Sequence, residues 1–205
     1  MLRFMSKVSK AATATAMFFL FCALVHLPYF FLTRLHVIES CRAMSTTISI
    51  LGTLICVVEV IFFAYVLMHG GLNRAAKGAV WSIMVVPAFS AFERTGNIIA
   101  GACQGTFAEW WAAQGAWVGG VSSFFGIFAV VALIWLGICL RRERCAMIMS
   151  FVVAYEALLT FVLWTLLAPT VTISQGLYSA VLVQYYILWP LFYFALARYF
   201  RGAEK

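Results

Sequence analysis

Residues 79–101 read AVWSIMVVPAFSAFERTGNIIAG, and the fold turns on whether this stretch crosses a membrane. A span needs about 20 mostly apolar residues, and the stretch has that length. Glu93 and Arg94 argue against it, because a charge at the bilayer centre costs about 2.5–3.5 kcal/mol on insertion scales. The flanking segments argue for it. Asn73-Arg74-Ala75-Ala76-Lys77 and Arg141-Arg142-Glu143-Arg144 are both strongly basic. They share a side of the membrane only if two spans lie between them. The run 117–140 is plainly one, so 79–101 is predicted to be the other.

Working outward, apolar runs of similar length fall at 11–32, 46–68, 146–168 and 177–198. The expectation is an all-α, polytopic bundle of about six transmembrane helices, with residues 1–205 as a single transmembrane domain. Composition agrees. The chain is 65% hydrophobic and 10% charged, whereas soluble domains carry about 25% charged residues. Such a chain has too little polar surface to face water all round. The basic start (Arg3, Lys7, Lys10) precedes small residues and then a long apolar core, the reverse of a cleavable signal. The first run is therefore read as a retained span.

Short-loop Lys and Arg bias sets orientation. With the N-terminus inside, the inner segments hold Arg3, Lys7, Lys10, Arg74, Lys77, Arg141, Arg142, Arg144, Arg198, Arg201 and Lys205, and the outer ones only Arg34 and Arg42. Both termini are expected on the cytoplasmic side, in a bacterial plasma membrane or, as the alternative, an organelle membrane. The formal charge of +7 is thus a topology signal. It is spread over short loops with no basic patch, so no nucleic-acid partner is expected. Phe107-Ala108-Glu109-Trp110-Trp111, with Trp117, reads as an interfacial anchor.

Ionisable groups inside spans mark the candidate site. They are Glu59, Glu93, Arg94 and Glu156, all near the middle third of their spans. At 100° per residue, Ser49, Gly52, Thr53, Cys56 and Glu59 share one face of the second span. Ser82, Ser90, Glu93, Arg94, Asn97, Gly101 and Gln104 share one face of the third. Pro87 removes a backbone hydrogen bond beside that stripe. The fourth span carries small residues, Gly119, Ser122, Ser123, Gly126 and Gly137, which let helices approach closely. GxxxG matches occur at Gly101/Gly105 and Gly115/Gly119. Three Glu and one Arg would total −2 if all were ionised, so at least one Glu is expected to hold its proton in a low dielectric. The plain alternative is a structural cluster, with Arg94 neutralising one Glu and Asn97 and Gln104 satisfying the rest.

His26, two residues before Pro28, is a further candidate for proton or ligand binding. Its plainer reading is a histidine bonded to a carbonyl that the proline frees. Tyr155, Gln184, Tyr185 and Tyr186 are candidate cavity residues. The six Cys include no CxxC pair. Cys41 and Cys103 fall near the outer face, where an oxidising compartment would let them pair.

Several activities are excluded. With no Asp in the chain, Asp-dependent intramembrane proteolysis and prenyl or CDP-alcohol transfer have no catalytic residue. HExxH, GxSxG and Walker A motifs are missing, as is a pair of histidines within spans. No metal site and no identifiable cofactor follow from the spacing. Three readings survive: a small-solute or proton-coupled transporter with a polar site at Glu59, Glu93, Arg94, Asn97, Glu156 and His26; a non-catalytic subunit or assembly factor of a membrane complex; and a lipid-active enzyme using a buried Glu. The partners expected are the lipid bilayer and either further copies of the chain or other membrane subunits.

Overall fold

The computed structural model describes residues 2–39, 41–103, 105–167 and 174–202. Six long helices account for nearly all of them. These are α1 (Leu2–Arg34), α2 (Arg42–His69), α3 (Arg74–Ala102), α4 (Thr106–Cys139), α5 (Arg144–Phe161) and α6 (Gln175–Gly202). Each contains a stretch long and apolar enough to cross a membrane, and the six predicted runs coincide with them. Gln104, Glu204, Lys205 and the last residue of the run 146–168 lie outside the described residues.

Local chemistry sets the helix ends. Asn73 caps α3, its Oδ1 accepting from the Ala76 N–H at 2.8 Å. Gly105, at φ +101°, makes the turn into α4 in a backbone region that side chains with a Cβ rarely adopt. At its far end α5 loosens into a π-helical turn, Val162–Leu167. Such turns are rare and cluster at functional sites.

Each helix packs chiefly on its neighbours in the chain, and α1 packs on α6, so the six close into a ring. An even number of alternating spans brings the N-terminal end of α1 and the C-terminal end of α6 to the same side. Lys7, Lys10, Arg74, Lys77, Arg141, Arg142, Arg144, Arg198 and Arg201 therefore gather at one rim, called here the basic end. Arg198 and Glu143 pair there, with Nε 3.2 Å from Oε1.

The ring is filled at that end. Val8, Phe63, Val80, Leu136, Leu140 and Phe200 are each at most 2% exposed. The gap left among the apolar residues there is about 10 Å³, which holds no water without polar partners. On the outside the pattern inverts: Leu24, Ile61, Met68 and Val131 are between 61% and 75% exposed. An apolar surface this extensive suits lipid, not water. The chain is an integral membrane protein.

The small residues of α4 divide by position. A Cβ on Gly137 would sit 3.2 Å from Ser150 Cβ, so α4 and α5 approach closely there. Gly101, Gly105 and Gly115 face open space, and the surroundings of Gly119 are outside the described residues. A Cβ added at any of these three would meet nothing within 4 Å. Cys41 and Cys103 are both free thiols.

Candidate functional site

Away from the basic end the ring is not filled. It encloses a cavity of about 600 Å³ to which all six helices contribute. Small-molecule sites span about 300–1,000 Å³. On α2 the lining runs from Ile48 to Phe63, about 22 Å of helix at 1.5 Å per residue. Phe63 belongs both to the cavity floor and to the apolar plug beneath it.

Five of the six residues singled out in the sequence line this cavity: His26, Glu59, Glu93, Arg94 and Glu156. Glu59 lies at the floor, 5% exposed. Its Oε1 accepts from the Tyr193 hydroxyl at 2.7 Å. Tyr193 is fully buried, with Phe62 edge-on at 5.2 Å. A carboxyl taken out of water needs such a donor. Glu156, 3% exposed, accepts from Thr160 Oγ1 at 3.0 Å and from Trp189 Nε1 at 3.2 Å. The Trp189 ring is 6.1 Å from that of Tyr193 and 6.0 Å from that of Tyr185. The floor is therefore a continuous row: carboxyl, tyrosine, tryptophan, carboxyl.

Arg94 crosses to α2 and lies on Gly52, where an added Cβ would sit 2.6 Å from Nη1. Among the described residues no carboxylate comes within ion-pair distance of its guanidinium. It acts on Glu59 and His26 only at longer coulombic range. Of the structural cluster weighed above, the Arg94–Glu ion pair is not formed among the described residues, and Gln104 lies outside them. Glu93, half-buried, projects about 100° round α3 from Arg94.

His26 is half-buried, and its Nδ1 is 2.8 Å from the Tyr186 hydroxyl. The two rings stand edge to face at 5.5 Å. A side chain of α6 thus takes the place of the proline-freed carbonyl anticipated as its partner. Asn97 leaves the cavity altogether. Its Oδ1 accepts from Trp111 Nε1 at 2.7 Å, and the Trp111 ring fills the notch over Gly96, where a Cβ would collide with it. Trp111 is accordingly 8% exposed, while Trp110 and Trp117 are 55% and 62% exposed. Two of the three tryptophans face outward as a belt would; the third pins α4 to α3.

The secondary candidates also divide. Tyr185 and Tyr186 line the cavity. Gln184 faces a shallow groove on the outside of α6, and Tyr155 points outward at 62% exposure. Ser49, Thr53 and Ser82 bond to carbonyls of their own helices. Sequence reasoning missed Tyr193, Trp189, Thr160 and the Gly52 seat. A signal existed for the first two. Tyr186, Trp189 and Tyr193 are spaced i, i+3, i+7, so three aromatic side chains with polar tips share one face of α6. Thr160 sits one turn beyond Glu156, within direct reach.

No known protein family, curated protein or solved structure matches this chain.

Proposed function

We propose that the protein is a transporter that admits a small solute to the ring cavity and couples its passage to proton exchange at Glu59. One observation carries the reading: a cavity of about 600 Å³ inside the bundle ends on a buried carboxyl and is closed beyond it by a dry apolar plug. A site reached from one side and sealed from the other is one half of an alternating-access cycle. The second half is a repacking of the plug. Intramembrane carboxyls facing such a cavity are the groups that relay protons in pumps and transporters. Glu59 stands where the cavity meets the plug, and the Trp189–Tyr193 row joins it to Glu156.

Glu59→Gln separates a proton role from a structural one. Its amide oxygen still accepts from Tyr193, so the variant is expected to fold. Purified protein in liposomes enclosing a pH-sensitive dye is challenged with small organic anions, amines and amino acids. A solute that moves protons with wild type and not with Glu59→Gln supports the reading. Wild type that moves no tested solute, or a variant that moves protons as wild type does, removes it.

A further inference from the structure

We propose that the solute carries a single anionic head, a carboxylate or phosphate monoester, held by Arg94 and by His26, which Tyr186 orients, on an apolar or aromatic body lying along Tyr185 and Trp189. This names the substrate class of the cavity and rests on the transport reading for its consequence.

Gly52, Arg94 and His26 lie ten, eight and eight residues from the ends of α2, α3 and α1 that face away from the basic rim, or about 15, 12 and 12 Å. They occupy one level of the cavity. Glu59 is two helical turns below Gly52, about 10 Å deeper, with one oxygen taken by Tyr193. Glu156 has both oxygens engaged, by Thr160 and Trp189. Glu93 lines the same cavity, but it projects about 100° round α3 from Arg94 and, among the described residues, makes no ion pair with it. At the upper level the charged group that acts on His26, and on Tyr186, is Arg94. Among the described residues the corner therefore holds donors with no carboxylate ion-paired to them.

Arg94 is seated against α2. Its guanidinium edge rests where Gly52 has no Cβ, which leaves its other N–H groups toward the cavity. A planar, permanently charged fork with free donors matches the two oxygens of a carboxylate or phosphate. His26 adds to this. With the Tyr186 hydroxyl donating to Nδ1, the neutral ring carries its N–H on Nε2, the nitrogen left to a ligand. The wall below is aromatic, with the Tyr185 and Trp189 rings tilted at 50° and 6.0 Å apart, and suits an apolar body. Both a free organic acid and an anionic lipid headgroup have this chemistry.

Equilibrium binding to the full-length protein in neutral detergent tests the site with benzoate, phenyl phosphate, benzyl alcohol and benzylammonium. The two anions are expected to bind at least tenfold more tightly than the alcohol and the amine. Arg94→Gln should lose that tenfold, Arg94→Lys should lose less, and Gly52→Val, which fills the seat, should weaken binding with the guanidinium still present. Equal binding of the amine or alcohol overturns the proposal, as does unchanged anion binding in both Arg94 variants. If Arg94→Gln does not fold, the Gly52→Val and Arg94→Lys comparison decides on the same terms. Repeating the titration in nanodiscs with and without phosphatidate identifies the source. Competition by phosphatidate supports a lipid ligand, and unchanged affinity supports a free organic anion. Anion binding without anion flux in liposomes retires the transport reading and leaves the site. Flux of an amine or neutral solute with no anion binding retires the site and leaves transport.

Discussion

Tyr193 is the residue on which the cavity floor depends. Its hydroxyl is the donor to Glu59, and its ring is packed against Phe19, Phe62 and Phe63. Tyr193→Phe keeps the ring and removes the donor, leaving a buried carboxyl oxygen unsatisfied at a cost of about 1–3 kcal/mol. Unfolding in mixed detergent is expected to show that loss; a variant as stable as wild type would mean that Glu59 finds another donor. Ionisable residues in apolar runs were legible from the sequence alone, because charge in lipid is costly enough to announce itself. Their partners were not. Tyr193 sits within Phe192-Tyr193-Phe194, where a tyrosine reads as packing. Gly52 is one of fourteen glycines, and nothing local says that Arg94 lies on it. Asn97 has the same stripe position as Arg94, yet its partner, Trp111, is fourteen residues away on another helix.

At the level of helices, stability comes from close approach, because lipid offers no hydrophobic reward for pairing. One close seam is between α4 and α5, where Gly137 meets Ser150 and the Met147 carbonyl. Ser150 is fully buried and bonds to the Ala146 carbonyl at 2.8 Å. Ser150→Leu forces the seam open and is expected to destabilise by about 1–3 kcal/mol, as overpacking does. The same change at Ser82, half-buried and bonded only within its own helix, should cost less. Equal losses at both positions would show that the seam is not tight. Span positions were readable because 20-residue apolar runs between basic loops admit few alternatives. The start of α4 was not: Glu109, Trp110 and Trp111 look like a surface loop, and become helix because Trp111 reaches Asn97 on α3. The π-helical turn Val162–Leu167 has no mark in its apolar sequence either. Its Thr165 meets Ser123 of α4 at 3.3 Å, a contact only the assembled ring supplies.

For the whole molecule the asymmetry between the two ends is the functional statement. Eleven basic residues against two predict an orientation from sequence, but polar residues on separate helices do not reveal that they enclose one space. That follows only once α1 closes on α6. The asymmetry makes a labelling prediction. In a background where all six cysteines are replaced by Ala, Ser90→Cys places a thiol in the cavity wall. Val80→Cys places one in the plug, 2% exposed. A membrane-impermeant maleimide is expected to react with Ser90→Cys only from the side away from the basic end, and with Val80→Cys from neither side. Benzoate should slow the first reaction if the anion site is occupied. On the transport reading, conditions that drive transport should then bring Val80→Cys into reach from the basic end while Ser90→Cys becomes protected, because alternating access closes one end as it opens the other. Labelling of Ser90→Cys from both sides at rest would make the ring a pore, and would remove the alternation that proton coupling at Glu59 requires.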